Sequence, residues 1–198
     1  MPSAGGDRPG AAGRDAALVI VVMGLLGVLG GVLWSALVTP ADYTKLANGA
    51  SMGDDQLGRQ FGADGWYVVI AALTALVAGA VLARWRSRDL LATSAALVVG
   101  SVLAAVAMAL TGHLLGPGDP EAALASAKVG ALVPERLDVG VRPLTPFADY
   151  VTGSVSVYLT WPVGALTGVL LVLVGRGPQD DGPHGSSKEP DITSDRPG

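Results

Sequence analysis

The chain has 198 residues, half of them hydrophobic and only 15% charged, with a formal net charge of −4 and a mean hydropathy of +0.48. A soluble domain carries about 25% charged residues; here the charges cluster and leave long uncharged stretches, the composition of a multi-pass membrane protein. There is no cysteine, and the two histidines, His113 and His184, are far apart; disulfides, thiolate catalysis and Cys- or His-rich metal sites are excluded, and an acidic chain without a basic patch is not a nucleic-acid binder.

Residues 1–16 are rich in Gly, Ala and Pro and read as a disordered tail. An uncharged run follows from Ala17 to Val38. At about 1.5 Å per residue it crosses the roughly 30 Å hydrocarbon core. It exceeds the usual h-region of a cleaved signal peptide, so a retained helix is expected. The loop from 39 to 65 holds Pro40 just past the helix end and the stretch "SMGDDQLGRQF", a candidate short surface helix weakened by its glycines. The second span is expected over 66–83, the turn "RWRSRD" follows at once, and the third span covers about 90–112.

The second long loop, 113–153, opens with a helix-start signature: Asp119 as N-cap, Pro120 at the first helical position and Glu121 in the first turn. The alternation in "RLDVGVRPL" suggests a short extended piece. A loop of this length either caps the bundle or binds something outside. The fourth span is expected over about 155–175, with Pro162 inside it as a kink or a hinge. Residues 176–198 are polar, rich in Pro and Gly, and expected to be disordered.

The expected fold is therefore an all-α membrane protein, a four-helix transmembrane bundle with two long extracytoplasmic loops, spanning 17–175 between two tails. Orientation follows from Lys and Arg. Arg84, Arg86 and Arg88 crowd the short turn, which places that turn and both termini in the cytoplasm. Trp85 is expected to anchor the inner face, and Trp34, Trp66 and Tyr67 the outer one. Small residues recur along each span: Gly27 and Gly31, Ala75 and Gly79, Ala96 and Gly100, Gly164 and Gly168. In lipid such rows let helices approach closely. Packing within the bundle is favoured over self-association through Gly27 and Gly31.

No ionisable group lies in the central part of any span. That argues against a proton-coupled transporter and against intramembrane proteases, and neither a nucleophile elbow nor a P-loop is present. The polar candidates near the bilayer are Asp64 and His113. A tight hairpin of spans two and three would bring them together as a carboxylate–imidazole pair. The alternative is that Asp64 caps span two and His113 ends span three.

The succession of "FGADGWY", "ARWRSR", a Gly/Ala-rich span, a Pro-containing loop and a last span resembles an actinobacterial membrane-protein family, domain of unknown function 2567. The resemblance covers about residues 17–175 and implies no chemistry for any residue. The expected role is a non-enzymatic accessory or scaffold component of the bacterial cell envelope, in the cytoplasmic membrane. Its partners would be the lipid bilayer and a membrane or envelope protein, with no cofactor, no metal and no catalytic residue. The alternative is a small transporter or lipid-handling subunit whose path is lined by Thr160, Thr167 and Ser101 beside Pro162.

Overall fold

The computed structural model describes residues 9–85, 90–139 and 157–175. In chain order the elements are α1 (Pro9–Leu37), β1 (Asp42–Leu46), β2 (Gly49–Ser51), α2 (Asp54–Trp85), α3 (Leu90–Leu115), α4 (Pro120–Ser126), β3 (Leu132–Pro134) and α5 (Thr160–Gly175). Three helices are long and apolar enough to cross a membrane, namely α1, α2 and α3; α5 is a shorter apolar helix of 16 residues.

The helix ends correct several expectations. α1 starts at Pro9, so half of the expected N-terminal tail is helical. Pro suits a first helical position, and the Ala-rich stretch behind it extends the span at little entropic cost. α2 starts at Asp54 rather than near Trp66 and runs for 32 residues, about 48 Å. The glycines of "GDDQLGRQFGADG" do not interrupt it; two acids in its first turn suit the helix dipole, and the buried span behind propagates the helix outward. Pro162 is the third residue of α5; residues 157–158 are helical too and a turn at Leu159 separates them from α5, so the break expected of an interior proline lies three residues ahead of it. The expected tail 176–198, the turn arginines Arg86 and Arg88 and the end of the second loop lie outside the described residues.

The long helices pair by close approach of small residues. α1 lies against α3, and α2 against α5. The register is parallel in both pairs: Gly24 meets Leu103, Gly27 meets Ala104 and Gly31 meets Met108 and Thr111, while Gly164 meets Ala72 and Gly168 meets Leu76 and Ala80. A Cβ at Gly27 would stand 2.3 Å from the carbonyl oxygen of Ala104, and one at Gly79 2.1 Å from that of Ala165. Only glycine fits there, because the neighbour is backbone and cannot swing aside. Ala75 touches the same α5 surface at Gly164, Gly100 lies on Met23, and Ala96 is buried in the core. Contacts of α3 with α5 and of α1 with α2 join the two pairs, so α2 and α3, consecutive in sequence, stand across the bundle from each other. The tight hairpin of spans two and three is thereby corrected: the glycine surfaces of α1 and α5 hold α3 and α2 apart.

The expectation of an all-α chain is corrected too. Both loops at one end of the bundle contribute to a three-stranded antiparallel sheet in the order β2-β1-β3. β1 and β2 form a hairpin around Ala47–Asn48, and Gly49 takes φ +141°, a conformation open to glycine. β3 comes from the second loop, which reaches it through a turn at 128–131 with Gly130 at φ +85°. The pairing is prolonged by Lys45 N–H to the Ala131 carbonyl and Glu135 N–H to the Ala41 carbonyl, at 2.9 and 2.7 Å. After β3 the chain turns onto the bundle. Leu137 and Val139 enter the hydrophobic core, and the Leu137 side chain crosses so close to Gly116 that a Cβ there would meet it at 2.7 Å. The strand of the second loop is Leu132–Pro134, ahead of the extended piece expected over 136–144; residues 136–139 form no strand, and 140–144 lie outside the described residues.

Candidate functional site

The polar groups gather where the sheet sits on the bundle. Polar residues on one side of α2 point into this cap at helical spacing: Gln56 accepts the Asp42 N–H at 2.9 Å, and one turn on Gln60 donates to Glu135 Oε1 at 3.1 Å. The Tyr43 hydroxyl donates to the same carboxylate oxygen at 2.9 Å. Glu135 therefore ties β1, α2 and the second loop together. Arg59–Asp42 and Arg136–Asp119, both at 3.8 Å, are half-exposed ion pairs of small energetic weight. The Asp119 side chain also accepts the Glu121 N–H at 3.2 Å, so α4 starts at the Asp-Pro-Glu signature.

His113, on the last turn of α3, meets Asp138 rather than Asp64: Nδ1 and Oδ1 are 2.5 Å apart. Asp138 lies between Leu137 and Val139, the two residues that plug the bundle end. The pair thus fastens the plug to α3. In hydrolases an imidazole–carboxylate pair aims a base at a hydroxyl. Among the described residues no serine or threonine hydroxyl bonds this ring, and the carboxylate occupies Nδ1. Asp64 is not the cap of α2, which begins ten residues earlier at Asp54. It continues the row Gln56, Gln60, Asp64 along the inward side of the helix and is partly buried.

Beneath this layer lies an aromatic keystone. Trp34 and Tyr67, expected at the headgroup level, are fully buried instead. Trp34 of α1 donates its indole N–H to the Ala63 carbonyl of α2 at 2.8 Å, and its ring covers Gly112 of α3. Tyr67 donates to the Ala105 carbonyl of α3 at 2.9 Å and stands edge-on to Trp34 and to Tyr158, at 5.3 and 6.2 Å between centroids. Each ring thus bonds across helices that share little other contact. Trp66 and Trp85 are the tryptophans that stay exposed, at 48% and 77%. They lie about 28 Å apart along α2, close to the thickness of a hydrocarbon core.

A cleft of about 50 Å³ opens between Tyr43, Gln60, Glu135, Arg136 and Asp138. It holds a few waters or one small polar group, well below the room a lipid or peptide needs. Among the described residues no group of His, Asp and Glu side chains could hold a metal ion. Of the groups expected to line a transport path, Thr167 faces outward from the bundle and bonds its own helix at Val163, while Ser101 is buried and bonds Val98. Neither lines the cleft between Tyr43 and Asp138.

The Asn-Gly pair at 48–49 is the legible signal for the hairpin. Nothing local marks Asp138 as the partner of His113, because the contact depends on how the second loop folds back. No family model, no curated protein and no solved structure matches the chain.

Proposed function

We propose that this protein is a four-span integral protein of a bacterial cytoplasmic membrane, with both termini in the cytoplasm, acting as a non-enzymatic accessory or scaffold component of the cell envelope. α5 is the fourth span; at about 24 Å it is short, and a locally thinned bilayer accommodates such a helix at modest cost. The resemblance to the actinobacterial family named above is part of this proposal and is carried by its short motifs.

One observation carries the reading. The polar side chains of the cap are engaged with each other: Glu135 with Tyr43 and Gln60, His113 with Asp138, Arg136 with Asp119. Among the described residues such a cap presents a surface of engaged side chains, and its cleft of about 50 Å³ is too small for a lipid or a peptide. A rigid surface held at the membrane suits a component that other envelope proteins recognise. Affinity capture from detergent-solubilised membranes, read by mass spectrometry, tests it. Recovery of a stoichiometric envelope partner is expected. Turnover of a lipid or peptide by the purified protein, with no partner recovered, would refute it.

A further inference from the structure

Asn48 is the only asparagine in the chain, and a glycine follows it. Both residues are exposed at the tip of the β1–β2 hairpin. Asparagine is a chemically labile residue. The amide nitrogen of the next residue, once it loses its proton, attacks the side-chain carbonyl carbon and closes a five-membered ring. A side chain on that next residue crowds the attack. Gly49 has none, and a Cβ there would meet nothing within 4 Å. The fold decides where this chemistry is open. Lys45 spends both backbone groups on the β3 side, with Ala131 and Gly130, so Leu46 turns its own toward Gly49. The Gly49 N–H is thus held only by the last rung of a ladder three pairs long, and every residue of β2 is exposed. Such a rung opens locally at small cost, without unfolding the rest. Among the described residues the other pair of this kind is Asp64–Gly65. It lies inside α2, where the helix ladder holds the Gly65 nitrogen, and a carboxylate is a poorer electrophile than an amide. Gln56 and Gln60 would need a six-membered ring, and both are tied into the cap.

We propose that Asn48 is a site of spontaneous deamidation in the folded protein. The Gly49 nitrogen bonds to Asn48 Cγ, the Cγ–Nδ2 bond breaks, and ammonia leaves with the proton that the nitrogen gave up. Water then opens the succinimide. Attack at the side-chain carbonyl leaves an ordinary aspartate. Attack at the backbone carbonyl leaves the main chain running through Cβ and Cγ. Either product adds a negative charge to the tip. The second also adds a methylene to a two-residue loop whose length sets the strand register. β2 is an edge strand, so it detaches while β1 stays paired with β3. The modification therefore remodels the outer tip of the cap and leaves its bundle side in place. The inference stands on the hairpin alone and does not depend on the membrane reading.

The full chain, purified in detergent, is aged in mildly alkaline buffer and then digested with trypsin at lower pH, with an unaged sample as the baseline. Cleavage after Lys45 and Arg59 releases the peptide Leu46–Arg59, which holds Asn48 and Gln56. Mass spectrometry with electron-transfer fragmentation follows the exchange of an amide NH₂ for OH and separates the two aspartyl products. The expected result is steady conversion at position 48 in the folded protein, with both products present, at a rate below that of the free Leu46–Arg59 peptide. Gly49→Ala should slow it severalfold, and Asn48→Gln should abolish it. An unconverted folded protein, after a time in which the free peptide reacts fully, overturns the inference, because the closing rung then protects the site. Conversion at Gln56 with Asn48 intact overturns it as well.

Discussion

Replacing Gly79 by Ala adds a methyl group 2.1 Å from the Ala165 carbonyl oxygen and 2.8 Å from its carbon. Ordinary contact begins at 3.4 Å, so α2 and α5 must separate by about 1.3 Å at this point. Gly168 stands in the same interface, its Cβ position 2.2 Å from the Leu76 carbonyl, and is dragged apart with it. Two effects compete. The substitution favours the helix by about 1 kcal/mol through backbone entropy. Overpacking against an unyielding backbone costs about 1–3 kcal/mol, and a gap of even 1 Å forfeits up to about half of the dispersion at the neighbouring contacts. In lipid there is little hydrophobic gain between helices to offset that loss. Gly79→Ala is therefore expected to lower stability by up to about 2 kcal/mol, and Gly79→Leu by more. Gly13 of α1 has nothing within 4 Å of its Cβ position, so Gly13→Ala keeps the entropic benefit alone. Thermal unfolding in detergent micelles, followed by circular dichroism and size-exclusion chromatography, ranks the variants. If Gly79→Ala matches or exceeds the wild type, as Gly13→Ala should, close backbone approach does not hold the bundle.

Trp34→Phe keeps the ring against Gly112 but removes the 2.8 Å bond to Ala63; a loss of about 1 kcal/mol is expected in the same unfolding assay, in line with one buried hydrogen bond. His113→Ala or Asp138→Ala breaks a partly exposed pair and should free the plug by about 1 kcal/mol; in such a background a thiol reagent should label Leu137→Cys faster than in the wild type, and an unchanged rate would contradict the fastening role. Because Lys45 N–H bonds the Ala131 carbonyl, the neighbouring pair Thr44–Leu132 is a non-hydrogen-bonded pair with Cα atoms about 4.5 Å apart. Thr44→Cys with Leu132→Cys should therefore form an intramolecular disulfide on mild oxidation, seen by mass spectrometry of the digested protein; its absence would argue against the shared sheet.

The membrane-length helices are legible in the sequence because few surroundings besides hydrocarbon favour uncharged runs of that length. The start of α2 is not. Gly53, Gly58, Gly62 and Gly65 read as a loop, yet the helix persists through the last three, because the turns are tied to the cap by Gln56 and Gln60 and do not depend on propensity. Residue type alone places Trp34 and Tyr67 at the headgroup level. It cannot separate an aromatic ring facing lipid from one turned onto Gly112 and a neighbouring backbone carbonyl. His113 stands out as the lone histidine near the bilayer, and its short contact with a carboxylate is present, but with Asp138. Asp64 is the nearer candidate in a hairpin that the glycine-mediated pairing of α1 with α3 and of α2 with α5 replaces. Long-range pairing of this kind leaves no local trace in one sequence.

The proposal that the two loops form one cap on the outer face of a four-span protein is tested most directly by labelling intact cells with a membrane-impermeant maleimide. Asn48→Cys, at the hairpin tip, should react in intact cells, whereas Ser87→Cys, in the arginine turn, should react only after the membrane is permeabilised. Reaction of Ser87→Cys in intact cells, with Asn48→Cys protected until lysis, would contradict the orientation and with it the outward-facing cap.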